Sequence, residues 1–203
     1  MSKQENHNMV IGILALQGDY EAHRKMLEER LEVPTAFVRT PDELERIDAL
    51  ILPGGESTTI GKLMARNGLD KAITARAQAG MPIYGTCAGL ILLARGIEGQ
   101  PEQPTLGLMD VRVARNAFGR QIESFEADIP FTEGKQKVEP VHGVFIRAPF
   151  VTETGPDVDV VSRFRDKIVG VRQGLLLGTA FHPELTEDPR VHAYFVRMVE
   201  EKK

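Results

Sequence analysis

Met81-Pro-Ile-Tyr-Gly-Thr-Cys-Ala-Gly-Leu-Ile-Leu-Leu-Ala94 is the stretch on which the fold turns. Met81 to Tyr84 reads as a short apolar strand broken at Gly85, and Ala88 to Ala94 reads as a helix. The glycines at 85 and 89 allow a strand-to-helix bend that side chains would obstruct. The same alternation runs upstream. Met9 to Leu16 (MVIGILAL) is a continuous apolar run of the kind that fills a fully buried parallel strand. Asp19 stands at a helix-cap position, and Tyr20 to Leu31 has helical composition. Ala36 to Val38 and Ala49 to Leu52 read as further strands, the latter stopped by Pro53-Gly54-Gly55. A helix follows from Ser57 to Gly68, and another spans Leu69 to Ala79. Strands alternating with helices over about 95 residues predict a parallel sheet covered on both faces.

The second half changes character. Val111 to Ala114, Ser124 to Ile129, Val144 to Ile146, Val158 to Phe164, Ile168 to Gln173 and Leu175 to Phe181 all read as strands between turn signals. Part of the sheet is therefore expected to be antiparallel. Pro189 to Glu200 closes the chain as a helix. Phe131 to Pro140, with Glu133, Lys135, Lys137 and Glu139, reads as a surface loop. Met1 to Asn8 reads as a flexible polar tail, leaving 9–203 as a single domain. With net charge −4 and no clustered basic excess, a nucleic-acid binder is not indicated. No apolar run nears 18 residues, so no membrane span is expected. The one cysteine, Cys87, cannot form an intrachain disulfide, which fits a reducing, cytoplasmic setting. One cysteine and scattered histidines make no metal-ligand cluster, and no cofactor is expected.

Three pieces carry chemistry. Gly85-Thr86-Cys87-Ala88-Gly89 places a thiol at the carboxyl end of a strand, where open α/β sheets bind ligands. The helix N-terminus behind it favours negative charge on sulfur. Taken alone, a cysteine between glycines is equally a small core residue. His182-Pro183-Glu184 follows the strand Leu175 to Phe181. A cysteine nucleophile needs a base, and the base needs a carboxylate to fix its tautomer. His7, His23 and His192 lack this strand-end placement, and His142 is harder to set aside. Pro53-Gly54-Gly55-Glu56-Ser57 links another strand to a helix. It reads either as a source of backbone N–H groups for an oxyanion or as a plain turn with Ser57 capping the helix.

Cysteine on an elbow followed by a distant His-Pro-Glu resembles the class I, or triad, glutamine amidotransferases. Closer still, Leu16-Gln17-Gly18, Leu52-Pro-Gly-Gly-Glu-Ser-Thr-Thr59, Gly85 to Leu90, Arg115-Asn116 with Phe118-Gly-Arg-Gln121, Phe145-Ile-Arg-Ala-Pro149 and Phe181 to Thr186 are similar to the glutaminase-subunit family of pyridoxal 5'-phosphate synthase (PdxT/SNO). The resemblance runs from about Met9 to Glu200. It implies a three-layer flavodoxin-like fold with a mixed, mostly parallel sheet. It implies a catalytic triad of Cys87, His182 and Glu184, and L-glutamine contacts from Gly55, Glu56, Ser57, Arg115, Ile146 and Arg147. It also implies a synthase partner, a TIM-barrel dodecamer decorated by glutaminase subunits in a 12+12 complex. The extra tail and the stretch Phe131 to His142 depart from the family pattern.

The mechanism expected from these residues is attack by Cys87 on the glutamine amide. Backbone N–H groups of Gly55 and Ala88 would hold the oxyanion, and His182 would protonate departing ammonia. Two other readings stay open: the glutaminase of another ammonia-using synthase, such as imidazole glycerol phosphate synthase, and a thiol redox or binding module without turnover.

Overall fold

The computed structural model describes residues 9–115, 124–134 and 136–202. The tail expected over Met1 to Asn8 lies outside them, as does the Asn116 to Gln121 part of the Arg115 motif. β1 (Ile11–Leu14) and β3 (Ala49–Leu52) are four-residue apolar strands buried at every position. Such strands are stable only when both faces are covered. β2 (Thr35–Val38) lies outside β1, and β4 (Ile83–Thr86) lies inside β3. The helices between them are α1 (Tyr20–Lys25), continued by a π-helical turn Met26–Arg30, then α2 (Pro41–Leu44), α3 (Ser57–Asn67) and α4 (Leu69–Gln78). Asp19 caps α1 by accepting from the Ala22 N–H, and Gly68 ends α3 with φ +73. The reading of Ser57 as a cap is corrected. Glu56 caps α3, its carboxylate accepting the N–H groups of Thr58 and Thr59, because that longer side chain can reach both donors.

After α5 (Ala88–Leu93) the chain makes β5 (Ala94–Ile97), β6 (Met109–Ala114), β7 (Ser124–Glu133), β8 (Gln136–Ile146), β9 (Phe150–Thr154), β10 (Asp159–Phe164), β11 (Lys167–Gln173) and β12 (Leu176–Thr179), then α6 (Arg190–Glu201). The main sheet order is β2-β1-β3-β4-β12-β11-β10-β7-β8. It is parallel from β2 through β12 and antiparallel beyond. β5, β6 and β9 form a side branch joined through the β9–β11 pairing. Helical crossovers enforce the parallel half, and short turns permit the antiparallel half.

The surface loop expected over Phe131 to Pro140 is instead the end of a long hairpin, β7 turning at Gly134 into β8. Its charges point to solvent or find partners while alternate apolar residues stay inside. Phe131 and Val141 are buried, Glu133 pairs with Arg197 of α6, and the Gly134 N–H donates to the Tyr194 hydroxyl. Composition alone registered the charges and not their alternation. β5 and β9 were not anticipated either; each is short, at the edge of the apolar signal.

Two side-chain directions on β4 fix the layers. Tyr84 faces His23 of α1 and His192 and Phe195 of α6. Gly85, on the opposite face, lies under Gly89 of α5, where a Cβ would overlap the Gly89 carbonyl. A Cβ at Gly89 would in turn overlap the Leu52 carbonyl oxygen at the end of β3. α5 therefore rides in direct backbone contact with the sheet. We expect Gly89→Ala to cost about 1–3 kcal/mol, as overpacking does where only backbone can yield. Urea unfolding followed by circular dichroism checks this. An unchanged midpoint would mean that α5 can lift without cost.

Candidate functional site

Cys87 joins β4 to α5 at φ +48 and ψ −99, a region that L-residues rarely occupy. The surroundings enforce it: the Cys87 N–H donates to Thr179 O of β12 at 2.8 Å, and α5 begins at the next residue. The result is a thiol at the carboxyl edge of the parallel strands, beside His182 and 4.0 Å from the Ile146 carbonyl oxygen.

His182 follows β12 by three residues. Its N–H donates to Val144 O of β8 at 2.8 Å, a single bridge that ties the segment to the antiparallel half. A 3-10 turn over Pro183–Leu185 then folds Glu184 back, and its Oε1 accepts from His182 Nδ1 at 2.7 Å. That bond places the other ring nitrogen, Nε2, away from the carboxylate. Both residues are nearly buried, His182 at 8% and Glu184 at 6% exposure. The Pro53–Ser57 turn closes over the imidazole: a Cβ on Gly54 would overlap the His182 ring. The Glu56 N–H, one residue past Gly55, is held by Gln17 Oε1 at 2.7 Å.

A cavity of about 520 Å³ opens at this point. Its wall includes Cys87, His182, Gly55, Glu56, Ser57, Arg115, Ile146 and Arg147, so the structure gathers these expected site residues. Glu184 lies behind His182, and Ala88 sits at the start of α5. Arg115 is braced by Ser57, by Glu56 at 3.4 Å and by Gln100 at 3.1 Å. Arg147, at φ +42 just past β8, has no ion-pair partner among the described residues. Gln17, Asp19, Ile91 and Leu185 also line the cavity and were not among the site residues expected from sequence. Gln17 could have been, since it stands just past the carboxyl end of a parallel strand, where such sheets bind ligands.

Burial alone would lower the proton affinity of His182. The hydrogen bonds and charges of Cys87 and Glu184 outweigh it and raise the group to about 10. Burial would likewise raise Glu184, but His23 and the N–H of His182 more than offset it, giving about 2. His182 thus carries its proton at neutral pH, and Glu184 is ionised.

This elbow, imidazole and carboxylate on a flavodoxin-like three-layer sheet define a class I glutamine amidotransferase. The sequence profile of the SNO glutamine amidotransferase family matches residues 13–201. The pyridoxal 5'-phosphate synthase subunit PdxT of Moorella thermoacetica is 53% identical over 191 residues, covering 94% of this chain and all of that one. The subunit of the same name from Thermus thermophilus is 53% identical over 190 residues, covering 93% and 97%. A solved glutamine amidotransferase is similar at TM-score 0.88 and 50% identity, covering 94% of this chain and 98% of its own. The chain belongs to the SNO glutamine amidotransferase family.

The site makes stability depend on pH in two directions. Glu184, lowered from 4.5 to about 2, contributes fully above pH 4.5 and loses its contribution as pH falls toward 2. His192, which burial holds at about 3, favours unfolding as pH falls below 6.5, because only the unfolded chain then takes up the proton. His182, raised from 6.5 to about 10, contributes fully below 6.5 and loses that contribution as pH rises toward 10. Urea midpoints should therefore peak near pH 6.5. His182→Ala should flatten the fall between 6.5 and 10. An alkaline limb that is the same in both proteins would contradict the assignment.

Proposed function

We propose that this chain is the glutaminase subunit of a pyridoxal 5'-phosphate synthase, hydrolysing L-glutamine to L-glutamate and handing the ammonia to a synthase subunit. The observation that carries the chemistry is Cys87 and His182 in the wall of a cavity shared with two arginines, with Glu184 hydrogen-bonded to His182 behind it. The approximately 50% identity to PdxT subunits over nearly the whole chain carries the pathway.

Glutamine enters side chain first. Arg147 offers its α-carboxylate a guanidinium without an ion-pair partner among the described residues, and Arg115, fixed by Ser57 and Glu56, supports it from the same cavity wall. Glu56 stays ionised, since the Thr59 and Thr58 hydrogen bonds and Arg115 outweigh the effect of burial. It can accept the α-ammonium. Cys87 Sγ, its proton already passed to His182, attacks the side-chain amide carbon, and the carbonyl electrons move to oxygen. The N–H groups of Ala88 and Gly55 hold that oxyanion; losing one such donor costs about 10²–10³ in rate. Collapse of the intermediate breaks the C–N bond, and His182 gives its proton to the leaving nitrogen. Ammonia departs and a γ-glutamyl thioester remains. His182, now neutral, takes a proton from water, whose oxygen attacks the thioester. Glutamate leaves and the sulfur returns to its resting state.

Residues 9–203 act as one glutaminase domain, with the TIM-barrel synthase dodecamer carrying twelve copies. The apolar side chains of Ile146 and Leu185, 38% and 40% exposed beside the cavity, suit a docking face at its mouth, with the α1 side as a neighbouring surface. A thiol that must stay reduced suits the cytoplasm.

Glutamate release should require Cys87, disappear in Cys87→Ala, and rise when the synthase subunit is added. Cys87-dependent turnover indifferent to that subunit would keep the glutaminase and overturn the pathway. Turnover unchanged in Cys87→Ala would overturn both. Arg147→Ala should raise KM for glutamine about 10–100-fold, the loss expected for one charged hydrogen bond. Its kcat should stay within about threefold of wild type. A KM unchanged by that substitution would remove Arg147 from substrate binding.

A further inference from the structure

Behind the triad, on the α1 and α6 side of the sheet, lie two histidines with no exposure at all, His23 and His192. They come from opposite ends of the chain, and His23 Nδ1 is 2.9 Å from His192 Nε2. Burial lowers the proton affinity of both, so each ring is neutral at pH 7 and carries one N–H. His192 Nδ1 is buried without a hydrogen-bond partner among the described residues. A proton there would be an orphaned buried donor, which is the costlier arrangement. The proton of His192 therefore sits on Nε2 and is donated to His23 Nδ1. His23 must then carry its own proton on Nε2. That nitrogen faces Thr86 Oγ1 at 3.2 Å and Glu184 Oε1 at 3.5 Å.

Every N–H of this chain of rings thus points toward the catalytic end. Glu184 Oε2 has no hydrogen-bond partner among the described residues, so the orientation of the carboxylate rests on Oε1, which lies between His182 and His23. Thr86, the other group facing His23 Nε2, immediately precedes Cys87. An aliphatic pair could fill the same space without leaving a nitrogen unsatisfied; the polar pair has a use that packing alone does not supply.

We propose that His23 is a positioning residue for the glutaminase reaction: its Nε2–H, oriented by His192, holds Glu184 and the Thr86 strand end so that His182 and Cys87 stay aligned. The inference rests on the glutaminase reading, and its test separates the two.

Glutamine geometry can place an amide N–H where imidazole Nε2–H stood, whereas asparagine reaches only the Nδ1 position. With the synthase subunit present, His23→Asn should lower kcat about 10–100-fold, as loss of an outer hydrogen-bonding partner does. KM for glutamine should stay within about twofold, and His23→Gln should recover most of the rate. Equal kcat in the Asn and Gln variants, or a loss confined to KM, would overturn the proposal. If His23→Asn does not fold, the comparison moves to His192. His192→Gln retains a donor to His23 and should keep the rate. His192→Leu frees His23 to change tautomer and should lose it; equal rates in those two would overturn the proposal. An activity-independent reading is the low-field proton resonance of the His182 Nδ1–H bond to Glu184. It should move in His23→Asn and not in His23→Gln, and an unmoved resonance in both would overturn the proposal. A wild-type protein that releases no glutamate would instead sink the glutaminase reading, leaving the resonance to decide the role of His23.

Discussion

The close approach of α5 to the ends of β3 and β4 is the constraint on which the rest depends. With no side chain at Gly85 or Gly89, helix backbone meets strand backbone directly. The connection between them is so short that Cys87 is driven to φ +48 and ψ −99. A residue held there costs on the order of 1–3 kcal/mol, and the buried apolar strands around it supply the rigidity that keeps it in place. What the strain achieves is access: Cys87 is only 8% exposed, yet it forms part of the cavity wall at the edge of the sheet. The neighbouring strand β12 ends beside it in register, Thr179 against Thr86, and so delivers His182 three residues later.

The parallel half of the fold was legible because its signals are local. Continuous apolar quartets, Gly-rich βα turns and the Gly68 stop each lie within a few residues of what they specify. The far end of the β7–β8 hairpin, Phe131 to Pro140, was not, although Ser124 to Ile129 and Val144 to Ile146 read as strands. Its charged residues face solvent or pair with α6, and only the long-range packing of Phe131 and Val141 shows that the segment is sheet. Composition without a partner strand reads such a segment as loop. The role of Glu56 as the cap of α3, in place of Ser57, was missed for a smaller reason, since a long acidic side chain at that position is an uncommon cap.

The site divides in the same way. Cys87, His182 and Glu184 could be proposed from two motifs because each motif is contiguous and each ends a strand. His23 and His192 could not be, and placement at strand ends was the wrong criterion for them. They sit on the first and last helices, which converge on one face of the sheet only in three dimensions. Their signal is burial and mutual hydrogen bonding, which no single segment carries. Strand alternation would have helped: Tyr84 and Thr86 share a face, opposite Gly85, and that face must be covered by helices from elsewhere in the chain.

The proposed chemistry requires a covalent γ-glutamyl thioester on Cys87 during turnover. Acid quenching of the enzyme with glutamine and the synthase subunit, followed by mass analysis of the peptide containing Cys87, tests it most directly. A glutamyl adduct is expected on that peptide, absent in Cys87→Ala and more abundant in Glu184→Gln than in wild type, because the weakened His182 slows hydrolysis of the thioester. Sustained glutamate release from wild type with the thioester absent from Cys87 in both active proteins would contradict it.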